Sequence, residues 1–408
     1  MTEWTSVPFW TVAHRVERTG NPDGRLLSVY RDWGVVPKDS RDDNFNRASE
    51  DLSTYKVVHV GDLVLNKMKT WQGSLGVSQH DGIVSPAYFV CELSPRVHGR
   101  FLHHLLRSQA TIASFKANSK GIRPNQWDLP YEILHDIQLL LPELEEQRRI
   151  ADFLDDRVAR IDQIIAARQQ QTAQAREAAV AEHQSEFVQL VTRYGTTRLG
   201  RCLARLEQGW SPQADSQPAE GAEWGVMRAG CVNGGAFREE DNKRLPDHFT
   251  PRVEYEIKPG DLLMSRASGS LDLIGSIAVV PASVRPRLLL PDKIYRLTPG
   301  GDWTSEFLAH AVRSYRNREL IRQGTSGAEG MANNLPSQTV RDLEIPAVPL
   351  SDQAALNSSL AAANEALTRF IAAVDTQVAL LQEYKQSLIT AAVTGAFDVA
   401  TASTRIPE

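Results

Sequence analysis

The chain has 408 residues, with 42% hydrophobic and 23% charged residues and a formal net charge of −5. These values fit a folded, water-soluble protein of two or three domains and exclude a disordered or fibrous one. The slight acid excess also excludes a protein that coats nucleic acid by bulk charge, and Cys91, Cys202 and Cys231 are too few and too scattered for a disulfide framework or a zinc site.

The opening Met1-Thr-Glu-Trp4-Thr-Ser-Val-Pro8 has no basic or apolar leader segment. No secretion signal is therefore expected, and a reducing, cytoplasmic compartment is. No apolar run approaches the ~20 residues of a bilayer span, so no membrane partner is expected. Residues 1–142 read as a mixed α/β globular part. Strand-length apolar runs occur at Val57-Val58-His59-Val60, Leu63-Val64-Leu65 and Ala87-Tyr88-Phe89-Val90. A helix is expected over about 99–117, where Phe101, Leu102, Leu105, Leu106, Ile112 and Phe115 fall on one side.

At Pro142 the pattern changes. Residues 143–195 contain no proline, and no glycine until Gly195; they open with acids that suit the positive end of a helix. Ile150, Leu154, Val158, Ile161 and Ile165 follow three–four spacing. About 50 helical residues would make a rod of roughly 75 Å. Residues 196–346 return to the globular pattern, with strand candidates at Leu262-Leu263-Met264, Ile277-Ala278-Val279-Val280 and Ile294-Tyr295-Arg296-Leu297. Residues 347–408 hold a second long helix over about 352–393. There Leu360, Leu367, Val374, Leu381 and Leu388 recur every seven residues, with Ala363, Phe370 and Tyr384 as a companion stripe, up to Gly395. The four parts carry net charges of +1, −3, 0 and −3, so the acid excess lies wholly in the two helical parts.

The two halves are copies. At an offset of 206, Phe101-Leu102-x-His104-x-x-Arg107-Ser108 falls on Phe307-Leu308-x-His310-x-x-Arg313-Ser314, and Gly121, Leu129-Pro130, Asp136, Gln147 and Leu154 also find counterparts. At an offset of 199, Gly61-Asp62-Leu63 meets Gly260-Asp261-Leu262 and Lys67 meets Arg266, which a single surface-loop insertion would explain. A period this long is a duplicated domain-plus-helix unit, not a solenoid. The expected fold class is α+β: two similar mixed α/β domains separated by two long antiparallel helices, related by a pseudo-twofold tandem duplication. Ile150, Leu154, Ile161 and Ile165 of the first helix would pair with Leu360, Leu367, Phe370, Val374, Leu381 and Leu388 of the second. Burial of the seam against the globular parts is the bland alternative.

Catalytic patterns are missing. There is no Gly-x-x-x-x-Gly-Lys-Ser/Thr loop, no Gly-x-Gly-x-x-Gly after a strand and no Gly-x-Ser-x-Gly elbow. Asn333-Asn334-Leu335-Pro336 lacks the paired prolines and aromatic of an amino-methyltransferase motif, and Pro291-Asp292-Lys293 lacks the rest of a nuclease motif. Adjacent helical residues such as His103 and His104 point about 100° apart and do not share a metal; a satisfied, partly buried His104, like His310, is expected. The pattern is that of a binder without metal or catalytic residues.

The segment Pro142-Glu-Leu-Glu-Glu-Gln147-Arg-Arg-Ile150-Ala-Asp-Phe-Leu154 and on to Ile165 resembles the central helical region of type I restriction-modification specificity subunits. Gln386-Ser-Leu388-Ile-Thr-Ala-Ala-Val393-Thr-Gly395 resembles their C-terminal helix. Gly61-Asp62-Leu63-Val64-Leu65-Asn66-Lys67 and Gly260-Asp261-Leu262-Leu263-Met264-Ser265-Arg266 resemble a strand motif of their target recognition domains. The order domain, helix, domain, helix covers nearly the whole chain. One departure is the opening Ser351-Asp-Gln353-Ala-Ala-Leu356 of the second helix, which lacks the Glu- and Arg-rich start found at 143–150.

The resemblance implies a non-catalytic subunit that recognises an asymmetric, bipartite double-stranded DNA target, one half-site per domain. It implies helices that space the domains and dock two methyltransferase subunits, with or without restriction (translocase–nuclease) subunits. S-adenosylmethionine, ATP and Mg would belong to those partners, with no cofactor on this chain. Base edges are read by Arg or Lys on guanine and Asn or Gln on adenine. The expected DNA-facing residues are Lys67, Lys69, Trp71 and Gln72, then Arg123, Asn125 and Gln126, and in the second half Arg266, Ser268, Lys293, Asn333 and Asn334. Ordinary solvated loops are the alternative for these residues, and a duplicated coiled-coil scaffold that binds only proteins is the alternative for the chain.

Overall fold

A computed structural model describes residues 4–31, 33–40, 48–49, 51–121, 127–326 and 333–399. The chain forms two compact units, Met1–Gln170 with Ala373–Glu408, and Gln171–Ala372. The first is built on a four-stranded antiparallel sheet in the order Ala13–Val16, Tyr88–Leu93, Leu63–Asn66, Leu75–Val77. Its central strands are apolar on both faces because helices cover one side and a further hairpin layer covers the other. A short strand, Thr5–Pro8, pairs antiparallel with Gln138–Leu141, the last strand before the first long helix.

The second unit repeats this plan. Leu203–Gln208, Ile294–Pro299, Leu262–Ser265 and Ile277–Val279 form its four-stranded sheet in the same order, and Thr196–Arg198 pairs with Glu344–Pro346. Helices Gly99–Arg107, Gln109–Asn118, Tyr131–Asp136 and Leu144–Tyr194 are matched by Ser305–Val312, Tyr315–Gly324, Ser337–Asp342 and Leu350–Val393, every start shifted by 206. The fold class read from the sequence is the one observed.

Two details differ from the sequence reading. The change of offset from 199 to 206 is two insertions, not one. Val77 pairs with Leu63 in one unit as Val279 pairs with Leu262 in the other, an offset of 202 at the strands Leu75–Val77 and Ile277–Val279. Three extra residues therefore precede that strand in the second unit and four follow it. The expected single helix over 99–117 is broken at Ser108. This residue is extended (φ −66°, ψ 151°) and its hydroxyl accepts from Thr111 N–H at 3.3 Å. Ser314 does the same for Asn317 N–H at 3.4 Å. A serine that satisfies an otherwise orphaned helix N–H favours such a restart.

The long helices span 51 and 44 residues, and among the described residues no helix is long and apolar enough to cross a membrane. In the first unit Ile150, Leu154, Ile161 and Ile165 are buried with Leu388, Ile389, Ala392 and Val393, and Lys385 Nζ reaches Asp162 Oδ1 at 2.6 Å. In the second, Phe187 and Leu190 lie in the same core as Leu356, and Tyr194 OH donates to Asp352 Oδ2 at 2.7 Å. The start of each helix thus meets the end of the other, which makes them antiparallel. Val374 is buried, Leu381 is partly buried, and Leu360 and Leu367 are half-buried. Phe370 is a correction: it is 42% exposed. Ala363 and Tyr384, its stripe-mates, are exposed as well. From Leu367 onward, the second stripe of the seam lies four residues after each heptad position rather than three, at Ile371, Val378, Lys385 and Ala392. A seven-residue repeat leaves that choice open, because i+3 and i+4 flank the same ridge on opposite sides.

Candidate nucleic-acid interface

Each unit carries a matched turn that aims a loop. Gly61 and Gly260 are left-handed (φ +95° and +83°), which glycine adopts without Cβ strain. The following carboxylates close the turns. Asp62 accepts from His59 N–H at 2.7 Å, and Asp261 accepts from Lys258 N–H at 3.0 Å. Asp62 is buried and ion-paired with Arg18; Asp261 pairs with Arg296 at 3.1 Å, which also holds Glu207 at 2.8 Å. The Gly-Asp-Leu motif therefore anchors the strand, and the side chains available to a ligand come after it.

In the first unit the strand Leu63–Asn66 leads into the short turn Thr70–Gln72, held by Lys69 N–H to Asn66 O at 2.9 Å. Lys69 and Gln72 are exposed. Lys67 is half-exposed, with Nζ 3.2 Å from Asp128 Oδ2. Trp71 donates Nε1–H to Met68 O at 3.1 Å, and its ring lies 5.3 Å from that of Trp127. Leu129 N–H donates to Lys67 O at 3.3 Å, so this turn and the segment 127–129 form one surface. Arg123, Asn125 and Gln126 lie outside the described residues.

The second unit brings together Arg266, Ser268, Lys293, Asn333 and Asn334. Leu335 N–H donates to Arg266 O at 2.9 Å, the counterpart of the Leu129–Lys67 bond. Ala267–Ser268 pairs antiparallel with Asn333–Asn334. Arg266 N–H donates to Lys293 O at 2.9 Å, its guanidinium donates to Asp292 O at 3.3 Å, and it sits 6.0 Å from the Tyr295 ring. Lys293 and Asn334 are exposed. Behind the loops, Lys120 bridges Asp128 as Ser326 bridges Asn334, each through two main-chain hydrogen bonds. Asp128 and Trp127 are the residues that sequence reasoning missed as site candidates. The available signal was that Asp128, at the repeat offset, stands where the second half has Asn334.

The remaining reactive groups serve the fold. His104 Nε2 is 2.8 Å from Asp155 Oδ1, as a satisfied histidine should be. Burial pushes the His103 and His310 imidazoles down to about 3. His310 differs from the expectation of a satisfied ring: its Nε2 is buried without a hydrogen bond, 3.4 Å from Glu186 Oε2. All three cysteines are buried, with thiols pushed up to about 12 by that burial. Among the described residues no group of three or more His, Cys, Asp or Glu could hold a metal ion.

No protein-family model matches the chain. It is 27% identical over 165 residues to the type I restriction enzyme EcoEI specificity subunit of Escherichia coli, covering 40% of this chain and 27% of that one. It is 26% identical over 252 residues to the EcoKI specificity subunit of Escherichia coli (strain K12), covering 58% of this chain and 52% of that one. The matched region thus spans about a quarter to a half of those relatives. In structure it resembles a chain solved in work on complex assembly and conformational transition of the type I R-M system, with TM-score 0.72, 16% identity and 97% and 98% of the two chains covered. It also resembles the HsdS subunit from Thermoanaerobacter tengcongensis, with TM-score 0.52, 17% identity and 97% of each chain covered. The resemblance to type I specificity subunits stands in sequence, and the structures share the fold.

Proposed function

We propose, from a sequence and fold akin to those of type I specificity subunits, that this chain chooses the DNA sequence for a restriction-modification complex. Each unit reads one half-site through the loop that follows its Gly-Asp-Leu turn. The long helices offer a surface to two methyltransferase subunits, to which restriction subunits add where they exist. Methyl transfer, with its S-adenosylmethionine, and ATP- and Mg-dependent cleavage reside in those partners, and this chain performs no chemistry. The observation that supports this most strongly is the matched loop pair: the same main-chain anchors hold Lys67 with Trp71 in one unit and Arg266 with Asn333 and Asn334 in the other. Matched anchors with unlike base-matching side chains suit an asymmetric bipartite target.

The test compares genome-wide methylation in the host with the gene present and deleted. Loss of one bipartite methylated motif on deletion is the expected result. Persistence of every motif overturns the proposal. A protein-only scaffold would instead show no salt-dependent affinity for duplex DNA, whereas phosphate contacts give a log–log slope of about −0.9 per neutralised phosphate.

A further inference from the structure

The two loops share their main-chain anchors but differ in charge. Asp128 and Asn334 occupy equivalent places: each makes the paired main-chain bridge, and each precedes the leucine whose N–H meets the carbonyl of the loop's basic residue. In the first unit the basic residue is ion-paired to this position, Lys67 Nζ to Asp128 Oδ2 at 3.2 Å, with both side chains part-exposed at 43% and 31%. In the second, among the described residues, the Arg266 guanidinium reaches the Asp292 carbonyl and the Tyr295 ring, while the Asp292 carboxylate accepts from Ser211 Oγ. Among the described residues no carboxylate pairs with Arg266.

We propose that Asp128 is a specificity-determining residue, resting on the DNA-reading function above. An ionised carboxylate only accepts hydrogen bonds. At the foot of the loop it favours facing a base whose major-groove edge offers an exocyclic amino hydrogen, cytosine N4 or adenine N6. It disfavours guanine O6 and N7. By holding Lys67, it also withholds that ammonium from phosphate, so the first unit depends more on base contact and less on backbone charge. Arg266 beside the neutral Asn334 has the opposite bias, toward guanine and phosphate.

The experiment uses the full chain assembled with its methyltransferase partners and selects bound duplexes from a randomised bipartite pool. Asp128→Asn is near-isosteric and leaves the main-chain bridge in place. It is expected to lose roughly ten- to a hundredfold preference at one base pair of one half-site, leave the other half-site intact, and steepen the salt slope of random-duplex binding by about one phosphate. Asn334→Asp should alter only the other half-site and flatten the slope. An unchanged motif and slope in both variants, with a bipartite motif still selected by the wild type, overturns this assignment alone. Absence of any motif in the wild type overturns the function as well.

Discussion

At the scale of single residues, two buried glutamines show what duplication preserves. Gln147 Oε1 accepts from His98 N–H at 2.8 Å, and its Nε2 donates to Arg96 O at 3.2 Å and Pro142 O at 2.9 Å. Gln353 repeats this with Thr304 N–H at 2.9 Å, Asp302 O at 2.9 Å and Val348 O at 2.9 Å. Each one ties the start of a long helix to the loop before a globular helix. Gln147→Leu or Gln353→Leu strands buried main-chain groups and should cost about 2–4 kcal/mol in urea unfolding. Gln72→Leu, on an exposed turn, should stay within about 0.5 kcal/mol; equal losses at all three would refute the docking role. The sequence shows the two glutamines as aligned letters, but two of the three main-chain partners that each bridges lie about 50 residues away.

The buried histidines add a pH dependence with a definite sign. His103 and His310 are held down to about 3 by burial, against about 6.5 in an unfolded chain. Between those values the unfolded state binds protons that the folded state refuses, so stability is complete above about 6.5 and falls as pH drops toward 3. At pH 5 each contributes a loss of about 2 kcal/mol. The unfolding free energies from urea titrations at pH 7 and pH 5 should therefore converge in His310→Gln by about that amount relative to wild type; the same pH loss in both proteins would remove burial of His310 as the cause.

Among the elements, the long helices were the most legible, because fifty residues without proline or glycine leave few alternatives and a heptad stripe marks a buried ridge. Their ends were read to within about two residues, at Leu144–Tyr194 and Leu350–Val393. The placement of Phe370 was not legible, because its environment is set by which neighbour the ridge meets. Truncation separates the two cases. Leu154→Ala opens a space in a fully buried cluster and should cost about 2–4 kcal/mol, whereas Phe370→Ala should cost well under half of that. The strand cores were also legible, as apolar runs between turn residues. The two-step insertion and the break at Ser108 were not, since local alternation carries no information about cross-strand register or a helix restart.

For the whole molecule, the boundary between the two units falls inside both long helices, at Gln170–Gln171 and Ala372–Ala373. If these helices set the distance between two half-sites, inserting four residues at both boundaries should act as a longer ruler. Four residues add ~6 Å and advance the helix face by about 40°. One base pair of DNA adds ~3.4 Å and about 35° of twist, and two add ~6.8 Å and about 70°. The preferred spacer should therefore grow by one or two base pairs, with both half-site sequences unchanged, because the loops that follow Gly61 and Gly260 are untouched. Selection from duplexes of graded spacer length reads this directly. An insertion variant that still assembles and still prefers the original spacer would show that the helices do not measure the DNA, while leaving sequence reading by each loop intact.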